Sequence, residues 1–211
     1  MSRVRSMLRG ALVFVALAPL ACTTTTFEST WRDPEARPVR LAGKKVVGIF
    51  MTNRSGIRRA AEDAMAREIS ARGAQGVPAY TVLSDEEVKD SDLSKTKLES
   101  LGFSGAVTMR AVGHETQYIY QPDVVWIRPY YRTFWGGYWR WGWGTVYEPG
   151  YLTADRVVKV ETLVYSLEQD RLIWAGVSRT LDPERIESFI SELAKAVTKQ
   201  LVKAGLLQER A

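Results

Sequence analysis

The sequence predicts an α+β fold: a single domain built on a mixed β-sheet, with helices on one face and a protruding aromatic β-hairpin. Three observations predict it. Lys44 to Met51 (KKVVGIFM) reads as a short apolar strand followed by a helical pattern, and a crossover through a helix implies parallel neighbours. Arg156 to Leu167 and Leu172 to Thr180 read as two long strands around the polar turn Glu168 to Arg171, which implies antiparallel ones. The helical segments carry one apolar stripe each, so a sheet should lie beneath them.

The elements follow in order. Ser55 is suited to cap a helix in which Ile57, Ala61, Ala64, Met65 and Ile69 recur at helical spacing, with Gly73 and Gly76 ending it. A strand is expected at Ala79 to Leu83, a second helix from about Leu93 to Leu101, and a third strand from Gly105 to Val112 that continues toward Tyr120. After the long hairpin, Asp182 and Pro183 form a capped start for the last helix. Ile186, Phe189, Ile190, Leu193, Val197 and Leu201 mark its buried face, and Gly205 its stop.

Ahead of the domain, three arginines (Arg3, Arg5, Arg9) precede an apolar run from Ala11 to Ala21 and then Cys22, the chain's one cysteine. Charged start, short apolar core and small residue before the break are the marks of a secretory signal peptide, and the run is shorter than the roughly 20 residues of a membrane span. With Ala21 before the cysteine, the segment resembles a bacterial lipobox, although Pro19 stands where Leu is usual and Leu20 comes one place later. The expectation is a signal peptide over 1–21, an acylated Cys22 carrying chains such as palmitate, a tether over 22–43 that docks through Phe27 and Trp31, and a domain over 44–207.

Removing 1–21 takes away three Arg and no acid, lowering the formal charge from +5 by three, to +2. A near-neutral chain offers no concentrated basic face for nucleic acid. Export implies an oxidising compartment, yet acylation would consume the one cysteine, so stability must come from packing rather than disulfides.

The segment over 118–151 is rich in Tyr, Trp and Gly. Gly136 and Gly137 suit a two-residue hairpin turn. In that register Phe134 faces Trp139, Arg132 faces Trp141 and Tyr130 faces Trp143, which sets all six on one side of the ribbon. Pro129 has no amide to give the ladder, so the regular pairing ends or bulges there. Two readings stand: the face packs on its own domain, with Arg132 stacked on Trp141, or it stays exposed and binds a protein, a glycan or lipid headgroups.

Residues with catalytic chemistry read as structural. His114 is the sole histidine, so a His-based zinc site is out of reach and no metal or other cofactor is expected. Glu62, Asp63, Arg58 and Arg59 read as a solvated helix face with spaced ion pairs. Glu161, which could pair with Asp155, reads as an outward-facing strand residue. The WGWG of 141–144 lacks the Lys and Ser or Thr of a phosphate loop.

TFESTWRDP after the lipobox, VVGIF, RRAAEDAMAREISARG, AYTVLSDEE and VKVETLVYSLEQDRLIWAGVSRT together resemble a family of uncharacterised bacterial outer-membrane lipoproteins, a domain of unknown function. The architecture is more loosely similar to lipoproteins that assemble on envelope machinery, such as the curli secretion lipoprotein and the activators of penicillin-binding proteins. The resemblance implies lipidation at Cys22 and, because Thr23 rather than Asp follows it, sorting to the outer membrane, facing the periplasm. The expected function is a non-enzymatic binding or assembly module of the cell envelope whose partner is an envelope protein or a glycan such as peptidoglycan. A homo-oligomeric subunit whose aromatic hairpin contacts the membrane is the alternative, and a glycan-acting enzyme a further one.

Overall fold

The computed structural model describes residues 25–114, 157–181, 183 and 185–210. Six strands form one mixed sheet: β1 (Thr25–Arg32), β2 (Lys45–Met51), β3 (Gln75–Pro78), β4 (Gly105–His114), β5 (Val157–Ser166) and β6 (Arg171–Leu181). Their order across the sheet is β1-β6-β5-β4-β2-β3. β2 runs parallel to β3 and β4, whereas β4–β5, β5–β6 and β6–β1 are antiparallel. The predicted α+β class and mixed sheet are what the structure has.

Side-chain alternation along the strands divides the core in two. Val46 and Phe50 of β2 point to a layer with Met65 and Ile69 of α1 (Ser55–Ser70) and Phe189, Leu193 and Val197 of α3 (Ile186–Lys203). Val47, Ile49 and Met51 point the other way, into a layer with Leu98 of α2 (Ser91–Ser100), Phe103 and Tyr165. Because β2 is buried on both faces, its apolar run is continuous rather than alternating. The two long helices share one face as expected, and the short α2 contributes to the layer on the other.

Close packing of α1 on the sheet edge depends on Gly76, where a Cβ would run into the main chain of Ala66. α3 ends in a Schellman motif: Gly205 takes φ +71°, Leu206 N–H donates to the Leu201 carbonyl at 2.9 Å and Gly205 N–H to that of Val202 at 2.8 Å. Its expected stop is therefore met.

Four local expectations are corrected. Residues 25–32, assigned to the tether, form edge strand β1, so the sheet begins nineteen residues before Lys44. Phe27 meets Trp174 edge to face at 6.0 Å, while Trp31 packs in the opposite layer. A bulge between Phe27 and Ser29 reverses the alternation and sends the two aromatics to opposite faces. At Ala79 to Leu83 the strand is instead Gln75–Pro78, and Ala79–Thr81 is a 3-10 turn. Ser55 is the first helical residue rather than a cap; Arg54 occupies the cap position without a side-chain bond. α3 likewise starts at Ile186 behind Arg185, again without a side-chain cap, and Asp182 lies outside the described residues.

Candidate functional site

Strand directions gather several features at one end of the sheet. β1 and β5 start there, β2, β4 and β6 finish there, and α1 and α3 begin just beyond the strands that precede them. Register fixes the juxtaposition: Thr25 faces Thr180, Val157 faces Leu181, and His114 faces Val158. The chain therefore leaves the two central antiparallel strands at His114 and returns at Val157 at the end where β1 enters the sheet. Cys22, Tyr130, Arg132, Phe134, Trp139, Trp141 and Trp143 lie outside the described residues, as do Asp155 and the side chain of His114. What the structure fixes is the attachment points of the segments that carry them.

One sheet face near this end bears a band of charge. Arg110 of β4 and Glu161 of β5 stand opposite each other and form a buried ion pair at 3.1 Å. Glu161, expected to face outward, is 4% exposed. The register that pairs it with Arg110 supplies the countercharge that a carboxylate needs in such a place. Beside them, the Glu28 carboxylate lies 3.3 Å from Lys159 and 3.8 Å from Arg179, tying the β1 bulge to β5 and β6.

A second polar cluster sits where α1 meets β2 and the 3-10 turn. Glu62, expected on a solvated face, is 0% exposed. One carboxylate oxygen accepts from Phe50 N–H at 3.2 Å and Arg58 Nε at 3.1 Å, and the other from Tyr80 N–H at 2.8 Å. Arg58, also buried, reaches Asp85 at 2.6 Å. Burial pushes the Glu62 carboxyl above its ordinary range, opposed by the Arg58 charge and the two main-chain N–H donors. Asp63 and Arg59 flank the cluster: Asp63 accepts from the Tyr80 hydroxyl at 2.8 Å, which raises the phenol's pKa, and Arg59 lies over the Tyr80 ring. The reason for the miss is geometric. Arg58, Glu62, Met65 and Ile69 share a single helical stripe, so the charged pair turns inward with the apolar residues.

With both oxygens committed to the fold, Glu62 works as a tie between β2, α1 and the 3-10 turn. Among the described residues no group of three or more His, Cys, Asp or Glu side chains could hold a metal ion, and no helix is long and apolar enough to cross a membrane.

No family model matches the chain, and no curated protein matches it. Solved structures do. A PelC dodecamer from Paraburkholderia phytofirmans is 12% identical, with a TM-score of 0.47 over 88% of this chain and 100% of that one. Lipoprotein GNA1162 from Neisseria meningitidis is 15% identical, with a TM-score of 0.39 over 77% of this chain and 99% of that one.

Proposed function

We propose that this chain is a lipid-anchored, non-enzymatic binding or assembly module of the bacterial envelope, attached through Cys22 to the outer membrane and facing the periplasm. Its binding element is the aromatic segment, with Tyr130, Arg132, Phe134, Trp139, Trp141 and Trp143 as the contact residues and an envelope protein or glycan as partner. The supporting observation is topological. β1 starts at Thr25, three residues after Cys22, at the sheet end where β4 departs toward the aromatic segment and β5 returns from it. Three residues reach at most about 11 Å, so an acylated Cys22 holds that end of the domain close to the bilayer. The same proximity supports a second reading, a homo-oligomeric subunit whose aromatic hairpin touches the membrane.

Two variants test the proposal. Cys22→Ser should move the protein from the membrane to the soluble periplasmic fraction; continued acylation and outer-membrane fractionation of the variant would refute the anchor. Replacing Trp139, Trp141 and Trp143 by Ser should leave the melting temperature near wild type while capture of an envelope partner falls sharply, because truncating anchor aromatics commonly costs about 2 kcal/mol or more. A triple variant that unfolds early, or melts normally and still captures its partner, removes the segment as the binding element.

A further inference from the structure

Five large apolar side chains are exposed among the described residues: Leu93, Leu101, Val112, Leu181 and Ile186. Their distribution is uneven. Leu93 and Leu101 lie on or just after α2, whose neighbours mark the far end of the sheet: Lys45, the first residue of β2, donates to the Leu101 carbonyl, and Lys95 pairs with Asp170 in the β5–β6 turn. Val112, Leu181 and Ile186 lie at the opposite end, late in β4, last in β6 and first in α3. Leu181 is 52% exposed and Ile186 41%. A β-strand rises about 3.3 Å per residue, so the ten residues of β5 separate the two ends by about 30 Å.

We infer that Val112, Leu181 and Ile186 rest on the lipid bilayer, making the sheet end around Thr25 a membrane-seated face. The inference rests on the proposed anchor at Cys22 and deepens it. Only Thr23 and Thr24 separate Cys22 from Thr25, so a lipid at Cys22 leaves this end little room to stand off from the headgroups, whereas the α2 leucines stay a sheet length away. Polarity at the rim agrees. α1 points its N-terminus this way with Arg54 at its cap position and no acid in its first turn, and Arg185 holds the cap position of α3, 3.9 Å from Glu187 in an exposed ion pair. Helix N-termini and arginines favour anionic headgroups. Three exposed aliphatic side chains add the apolar contact by which peripheral proteins settle about 5 to 10 Å into the interface.

Because acylation occupies the one native cysteine, a cysteine placed elsewhere can be labelled alone. The experiment uses the full acylated chain in vesicles of phosphatidylethanolamine and phosphatidylglycerol, with bimane at Val112→Cys, Leu181→Cys, Ile186→Cys, Leu93→Cys or Leu101→Cys, and nitroxide lipids as quencher. Quenching should be severalfold stronger at 112, 181 and 186 than at 93 and 101. Leu181→Asp with Ile186→Asp should lower quenching at 112 to the level seen at 93 and 101 while the protein still floats with the vesicles. Flotation with equal quenching at all five positions overturns the inference and leaves the anchor standing. Self-quenching between labels at 181 or 186 without quenching by lipid overturns it in favour of a second copy of the chain. Failure to float removes the anchor itself.

Discussion

Glu62→Gln changes the charge and hydrogen-bonding pattern of a buried side chain while keeping its shape, which isolates the worth of the carboxylate. Its oxygens together accept from Phe50 N–H, Arg58 Nε and Tyr80 N–H. The amide offers one oxygen and one NH₂, so in either orientation at least one of these donors meets another donor. Orienting the NH₂ toward Tyr80 strands one main-chain N–H; the reverse orientation strands Phe50 N–H and the Arg58 bond. An unsatisfied buried donor costs about 1 to 3 kcal/mol. Arg58 keeps Asp85 at 2.6 Å, and burial already opposes the Glu62 charge, so the stranded donor sets the expected total at about 1 to 3 kcal/mol. At about 2 to 4 °C per kcal/mol for a domain of this size, the melting temperature should fall by about 5 °C. Urea unfolding read by tryptophan fluorescence and by circular dichroism measures the loss, and Glu192→Gln, in an exposed pair with Lys195 at 3.0 Å, is the control, expected to cost under about 1 kcal/mol. A loss for Glu62→Gln no larger than the control's would refute the assignment of Glu62 as a tie.

Phe189→Ala should cost about 3 to 5 kcal/mol, because Phe189 is buried in the layer between α3 and the sheet; a loss below about 1 kcal/mol in the same urea assay would make α3 peripheral. Arg110→Met should destabilise by about 3 to 5 kcal/mol by breaking the buried 3.1 Å ion pair with Glu161, and adding Glu161→Leu should recover part of that loss; a double variant worse than the single one would show that the pair is not the dominant coupling there. The Glu62 carboxyl sits above its ordinary pKa through burial, so over the interval from 4.5 up to that raised value the folded chain retains a proton that the unfolded chain releases. Its contribution to stability therefore falls as pH rises through that interval, and the stability difference between wild type and Glu62→Gln should shrink in the same direction; a difference that grows with pH, measured by urea melts from pH 4 to 8, contradicts the raised pKa.

Elements whose burial repeats at a fixed period were legible in the sequence. The unbroken apolar run of β2, the β5–β6 hairpin and the stripes of α1 and α3 all reappear within a few residues of their expected limits. β1 was missed because its period is broken. Phe27 and Trp31 are four residues apart and would share a face of a regular strand, but the bulge before Ser29 separates them, leaving no alternation to read. Residues 79–81 have strand propensity in Tyr80 and Thr81, yet the Tyr80 N–H is captured by Glu62, eighteen residues earlier, a contact that no local window contains. Arg58, Glu62 and Glu161 failed for one shared reason. A charge was taken as a sign of solvent, whereas each of these has an opposite charge at i+4 or directly across a strand pair.

The antiparallel half of the sheet also explains why its features fall at the two ends as they do. Along β6, β5 and β4 each reversal of direction brings chain departures and returns to alternate ends, so the four-residue turn of 167–170 closes one end and the long connection from His114 to Val157 leaves from the other. β1, laid antiparallel on β6, must then start beside the long connection rather than beside the turn. A strand entering parallel to β6 would have carried Thr25 to the turn end, a sheet length of about 30 Å away. The distance between the proposed lipid at Cys22 and the attachment points of the aromatic segment is thus governed by the direction in which one edge strand pairs, and that direction is pinned by Phe27 against Trp174 and by Glu28 between Lys159 and Arg179.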